Sequence, residues 1–221
     1  MRNINTKYFL YLILGISIIT FFILVKIKNI KEIDITSIII LLPTVITVDV
    51  LFLTIFSSYI WKFKFLRGWL VPFPNLNGTW KGHINTTWND PITNQRPDPI
   101  PAILTIKQSF FNVSCVMRTA EMTSRSIVSD FVLDKDNQVK RLFYSYDSNP
   151  IQTVKDRSPQ HCGTVVFDID ESSKITLKGE YWTGRKTTGD IELTFWKKEL
   201  LDKYPSELGI HPVSDKRKGQ S

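Results

Sequence analysis

One short stretch gathers the groups that would suit a phosphorylated ring compound. Tyr181-Trp182-Thr183-Gly184-Arg185-Lys186-Thr187-Thr188-Gly189 places flat aromatics, hydroxyls and a guanidinium in what reads as a single hairpin. A purine stacks on a flat aromatic or guanidinium face, worth about 1–3 kcal/mol per base. A phosphate takes a forked donor such as Arg, with hydroxyls or backbone amides beside it. The competing reading of the same residues is structural: Tyr181 fills a core, Trp182 lies outside, and the rest is a polar turn. Signatures of catalysis are absent, with no phosphate loop, no Gly-x-Ser-x-Gly and no His-Glu-x-x-His. His83, His161 and His211 are scattered, none at metal-ligand spacing with a Cys or carboxylate. The acid pairs Asp168/Asp170 and Asp190/Glu192 read as solvated strand residues. The residues therefore argue for binding without catalysis, cofactor or metal.

The elements around this hairpin alternate with a period of two. Trp80, Gly82, Ile84, Thr86 and Trp88 share one face, followed by Ala102, Leu104 and Ile106, then Phe111, Val113, Cys115 and Met117. A less regular strand spans about 122–133. Leu142, Tyr144 and Tyr146 lead to Gly163, Val165, Phe167 and Ile169. Ile175, Leu177, Gly179, Tyr181 and Thr183 precede Gly189, Ile191, Leu193 and Phe195. Turn residues separate these runs at 134–137, 170–173 and 184–189. Proline-bearing connections lie at 89–99 and 147–160. Short strands without intervening helices predict an antiparallel meander. Eight of them can close into an up-and-down barrel, which removes exposed edges; a sandwich is the alternative. In such a barrel Trp80, Ile106, Ile169, Leu177 and Phe195 plug the end nearest the chain's entry. The far rim collects Thr86, Trp88, Thr119, Arg125, Tyr144, Tyr146, His161, Tyr181, Thr183 and Arg185. From that rim and the 181–189 hairpin we take Thr86, Trp88, Arg125, Tyr144, Tyr146, Tyr181, Arg185 and Thr187 as the candidate ligand contacts. An eight-stranded barrel holds side chains or one small ligand.

Residues 1–68 are of different character. The stretch 8–25 carries no charge, and 35–60 carries only Asp49. Eighteen helical residues span about 27 Å at ~1.5 Å each, close to a hydrocarbon core of ~30 Å. Residues 26–28, Lys-Ile-Lys, follow the first stretch where a signal peptide would carry small cleavage-site residues, so an uncleaved anchor is expected. Pro43 should kink the second span. Asp49, too deep to reach the interface, is expected to bond the first span through Ser17 or Thr20, or to line a polar seam in an assembly. Arg2, Lys7, Lys62, Lys64 and Arg67 outnumber Lys26, Lys28 and Lys31 of the intervening loop, which favours cytoplasmic termini. Trp61, Phe63, Phe65 and Trp69 among these cations read as an interfacial anchor. Of the net charge of +7, residues 1–68 hold +5 (eight Lys/Arg, three acids), leaving the remainder nearly balanced. With no basic stripe, DNA or RNA is not the expected partner. Cys115 and Cys162 read as two buried thiols, and the polar residues after Leu208 as disordered.

Two N-terminal spans, then Leu76-Asn77-Gly78-Thr79-Trp80-Lys81-Gly82, then Leu177-x-Gly179-x-Tyr181-Trp182-x-x-Arg185-x-Thr187-x-Gly189-x-Ile191, form a recognisable order. The chain resembles the two-transmembrane, β-strand-rich effectors of CBASS, cyclic-oligonucleotide-based antiphage signalling. Gly78-Thr79-Trp80 is also similar to the Gly-x-Trp that closes lipocalin floors. The first resemblance implies a minimal eight-stranded barrel that binds a cyclic dinucleotide made by a partner nucleotidyltransferase. It implies self-association on binding, and disruption of the bacterial inner membrane by the spans, with the barrel in the cytoplasm. Asp49 and Pro43 would then serve membrane assembly. The expected division is a transmembrane hairpin over 1–68, a linker over 69–77, the sensing barrel over 78–200 and a polar tail over 201–221. The alternative is a membrane-tethered, lipocalin-like carrier or sensor of a small apolar ligand. An anchored enzyme would require the three histidines to converge.

Overall fold

A computed structural model describes residues 6–134 and 136–218, with side chains through Asp215. Arg2 of the flanking charges, Lys135 of the 134–137 turn and the side chains of the basic 216–218 run lie outside the described residues. The chain divides into two compact units, residues 1–74 with 109–111, and residues 75–108 with 112–221.

The first unit contains α1 (Thr6–Ile27) and α2 (Ile35–Ser58), both long and apolar enough to cross a membrane. Most of their large apolar side chains are exposed, among them Leu10, Ile19 and Ile39. Asp34 caps α2, its carboxylate accepting from the Ser37 amide at 2.8 Å, which satisfies one of the free donors of a helix start. The helix runs through Pro43 without interruption, and the Thr47 hydroxyl donates to the Pro43 carbonyl at 2.8 Å. Between the helices Ser17 Oγ donates to Asp49 Oδ2 at 2.7 Å, the expected interhelical bond. The other carboxylate oxygen, Oδ1, is buried without a hydrogen-bond partner.

Two 3₁₀ turns, Ile60–Lys62 and Lys64–Leu66, follow. They separate the aromatic residues expected to act together. Phe63, Phe65 and Trp69 stay exposed, but Trp61 is buried, its ring 5.8 Å from Phe73. The helical turn at Trp61 aims it inward, so it is no part of an exposed anchor. The stretch after Leu66 is a compact turn, with Gly68 donating to the Val71 carbonyl at 3.0 Å and Leu70 and Val71 buried. Phe110, from 109–111, stacks on Phe9 at 5.4 Å and meets Phe56 edge-on at 4.9 Å.

The second unit is a closed antiparallel barrel in which each strand pairs with the next and β8 returns to β1. Its strands are β1 (Gly78–Thr86), β2 (Ile100–Gln108), β3 (Val113–Arg118), β4 (Met122–Asp134), β5 (Val139–Pro150), β6 (His161–Asp170), β7 (Thr176–Thr183) and β8 (Thr188–Lys197). The sandwich is thereby excluded. The alternation read from the sequence matches burial: Leu177, Ile191, Leu193, Val165 and Phe167 face inward, whereas Lys178, Glu180, Asp190 and Glu192 face out. The outward acids meet cations across strands, Asp168 with Arg141 and Glu192 with Lys178. Trp80 closes one end. It is 1% exposed, packs edge-on against Phe195 at 5.4 Å, and its indole donates to the Leu76 carbonyl at 2.9 Å.

Two expectations are corrected here. Cys115 is buried, but Cys162 is exposed, because Gly163 and Val165 take the inward positions of β6. The described residues after Leu208, 209–218, are not structureless. A short helix, α3 (Pro212–Lys218), follows Gly209, and Val213 is 3% exposed. The path to it is tied down: Thr79 Oγ1 donates to the Glu199 carbonyl, while Thr105 Oγ1 and Arg118 Nη1 donate to that of Leu201. These side chains sit on three successive strands, so the segment has a polar track to follow.

Candidate functional site

Away from the Trp80 floor the barrel holds a cavity of about 290 Å³. Each wall follows from parity. β1 and its extension supply Ile84, Thr86 and Trp88; β5 supplies Tyr144 and Tyr146; β7 supplies Tyr181 and Thr183. The turn joining β7 and β8 adds Arg185 and Thr187. Here Thr183 and Thr187 clasp the turn, their hydroxyls 2.6 Å apart, and the Lys186 amide donates to the Thr183 carbonyl. Lys186 adopts a left-handed φ of +65°, a conformation costing roughly 1–2 kcal/mol outside glycine. That reversal lets the preceding Arg185 reach over the cavity.

Seven of the eight candidate contacts therefore share one cavity: Thr86, Trp88, Tyr144, Tyr146, Tyr181, Arg185 and Thr187. Thr119, His161 and Thr183 of the wider rim join them. Arg125 does not. Its neighbour Ser124 lines the cavity, so Arg125 takes the outward side of β4 and is exposed. Residues that periodicity did not identify are Glu121, Arg157, Ser158, Pro159 and His211. They come from the turn before β4, the connection between β5 and β6, and the segment after β8. None of these has a strand's alternation to betray its direction.

The electrostatics centre on Arg185. Its Nη1 donates to Ser158 Oγ at 3.0 Å and Nη2 lies 3.5 Å from His161 Nε2. Nε is buried with no hydrogen-bond partner among the described residues, as is the Tyr144 hydroxyl. Among the described residues no carboxylate forms an ion pair with Arg185. Burial lowers its pKa, with Tyr146 and Tyr181 acting in the opposite sense; a guanidinium nevertheless stays protonated in proteins. Burial also lowers the pKa of His161, aided by the Arg185 charge and opposed by the Pro159 carbonyl. That carbonyl lies 2.9 Å from Nδ1, so Nδ1 carries the proton and Nε2 presents a lone pair to Arg185. Burial raises the Tyr144, Tyr146 and Tyr181 phenols, which remain neutral donors. The rings of Tyr144 and Tyr146 are 6.0 Å apart, and Tyr146 meets His161 edge-on at 6.5 Å. Aromatic faces, neutral donors and a guanidinium that no carboxylate among the described residues pairs thus line one cup, beside the Arg157–Glu121 pair. No group of three metal-ligating side chains occurs among the described residues.

Fold and cavity together define a small closed barrel with a ligand-sized, cationic mouth. The Cap15 cyclic dinucleotide receptor domain family matches residues 71–195, more than half of the 221 residues, and the chain belongs to that family. CD-NTase-associated protein 15 of Staphylococcus schleiferi is 36% identical over 88 residues, 40% of this chain and 46% of that protein. The match thus spans less than half of that relative's length. The family is the one to which the Gly78-Thr79-Trp80 strand and the 177–191 hairpin pointed.

Proposed function

We propose that the barrel binds a cyclic dinucleotide, made by a partner nucleotidyltransferase, in the cavity lined by Thr86, Trp88, Tyr144, Tyr146, Tyr181, Arg185 and Thr187. The observation that carries this is Arg185, a half-buried cation whose Nε has no partner among the described residues. Buried polar groups are almost always hydrogen-bonded, and a phosphodiester oxygen would complete this one. Tyrosine faces and Trp88 would take the bases. The receptor-domain family and the name of the relative support the same ligand class. A cavity of about 290 Å³ lies at the small end of ligand pockets, ~300–1,000 Å³. The ligand would therefore stand partly in the mouth, within reach of a second copy.

In this reading the protein is a bacterial antiphage effector without catalysis. Ligand binding favours an assembled state in proportion to its preference for that state. Assembly brings many α1–α2 pairs together in the inner membrane, with both termini and the barrel in the cytoplasm. Asp49 Oδ1, buried and unpartnered within one copy, would find a donor in the cluster, and the membrane would fail. The test is co-expression of the full-length chain with a cyclic dinucleotide synthase, followed by entry of a membrane-impermeant dye. Dye should enter only when both are present and the cavity is intact, and Arg185→Ala should protect the cells. Dye entry that ignores the synthase, or none with both partners, contradicts the proposal. The unpaired guanidinium weighs against the alternative of an apolar-ligand carrier.

A further inference from the structure

Arg157 lines the same cavity as Arg185 but is held differently. Its Nη2 donates to the Glu121 carboxylate and lies 3.1 Å from Ser214 Oγ. Ser214 Oγ donates to the other oxygen of Glu121. His211 Nδ1 stands 3.5 Å from Glu121 and accepts from the Val213 amide at 3.3 Å. Glu121, Arg157 and His211 side chains are 8%, 18% and 12% exposed. One carboxylate thus joins the connection between β5 and β6 to the segment after β8, at the edge of the cup. Ser158, the next residue after Arg157, is the partner of Arg185. One short stretch of chain thus carries Arg157, held by the acid Glu121, and the hydroxyl of Ser158 that holds Arg185.

Resting on the cyclic dinucleotide reading, we propose that Arg157 is a second phosphate-reading cation, held in reserve by Glu121, and that its transfer to the ligand is relayed through His211 and Ser214 to the segment after β8. The charge count favours it. A cyclic dinucleotide carries two phosphodiester charges, and Arg185 alone meets one. When Arg157 turns to the second phosphate, Glu121 is left buried without its cation, which is strongly unfavourable. His211 is the group placed to answer. While Arg157 is near, His211 Nδ1 accepts from Val213 and so carries no proton. Burial lowers its pKa, Arg157 lowers it further, and Glu121 opposes them; these two residues are the charges acting on it. With Arg157 withdrawn, Glu121, 3.5 Å from Nδ1, is the charge left facing His211 against its burial; in this relay His211 takes a proton at Nδ1, releases the Val213 amide and pairs with the carboxylate. Filling the cup thereby re-seats residues 211–215 on the rim.

The experiment uses the full-length chain in lipid nanodiscs, titrated with cyclic di-AMP, cyclic di-GMP and cyclic GMP-AMP. Calorimetry near neutral pH in two buffers of different ionisation enthalpy should show net proton uptake with the tightest probe, abolished in His211→Asn. Hydrogen exchange at the Val213–Asp215 amides should change on saturation. Arg157→Gln should weaken binding by about tenfold, as loss of one charge-assisted contact does. Measurable binding with no proton uptake and unaltered exchange at 213–215 overturns the relay, as does undiminished affinity in Arg157→Gln, while leaving the ligand class standing. Failure of the wild-type chain to bind any of the three overturns both.

Discussion

Arg185 and Ser158 meet at 3.0 Å across two separate connections of the barrel. A guanidinium in a half-buried cup is thereby held by a neutral hydroxyl and a neutral imidazole, with no acid paired to it among the described residues. Burying a charge beside neutral partners is costly, and an anion placed there recovers the loss.

The floor is the part of the barrel that stability depends on. Trp80 fills the end opposite the mouth, buried to 1% exposure and hydrogen-bonded to Leu76. Trp80→Ala should cost about 3–5 kcal/mol, read as a lowered denaturant midpoint. Trp80→Phe should recover much of it.

Gly163 positions Tyr146. A Cβ there would stand 2.5 Å from Tyr146 Cζ and 2.7 Å from the Trp182 carbonyl. The ring must move, and the strand carrying the Trp182 carbonyl must shift as well. Gly163→Ala should lower stability by roughly 1–3 kcal/mol, as overpacking does, and weaken ligand binding as well. A variant equal to wild type in both thermal midpoint and affinity would show that Tyr146 has room to spare.

The histidines set a pH dependence. Burial holds His161 and His211 below their ordinary value of 6.5, so the unfolded chain binds more protons than the native one as pH falls through that value. Stability is complete above about pH 6.5 and declines below it. The Asp134 and Asp170 carboxyls, held below 3.8 by turn hydrogen bonds, titrate in a lower window. The thermal midpoint should fall between about pH 7 and pH 5.5. His161→Asn should flatten that fall.

Strand order, barrel closure and most of the cup were legible because each strand buries one face, and burial writes a period of two into the sequence. Tyr144, Tyr146 and Tyr181 were found by that rule. It failed where no such face exists. In β4 the register shifts between Ser126 and Val128, and Ile127 and Val128 are both exposed, so the direction of Arg125 could not be read from its neighbours. Glu121, Arg157 and His211 lie in connections and in a segment whose polar composition resembles disorder. What ties down the path to that segment is a set of hydrogen bonds from Thr79, Thr105 and Arg118 to the Glu199 and Leu201 carbonyls, 83 to 120 residues away in sequence. Trp61 was misplaced for a similar reason: composition suggested an interface, but a single 3₁₀ turn decides where the ring points.

Asp49 tests the membrane part of the account. It bonds Ser17 through one oxygen and leaves the other without a partner. Asp49→Leu should preserve membrane insertion, since it removes a polar group from an apolar helix, and should reduce ligand-dependent assembly and killing. Unchanged killing would remove Asp49 from the mechanism.

Calorimetry of the full-length chain in nanodiscs against cyclic di-AMP, cyclic di-GMP, cyclic GMP-AMP and oleate bears most directly on the role of Arg185. At least one dinucleotide should bind at micromolar concentration or below, and Arg185→Ala should weaken it about tenfold to a hundredfold, the range for a hydrogen-bonded charge. Binding of oleate alone, or a dinucleotide affinity indifferent to Arg185, would contradict it.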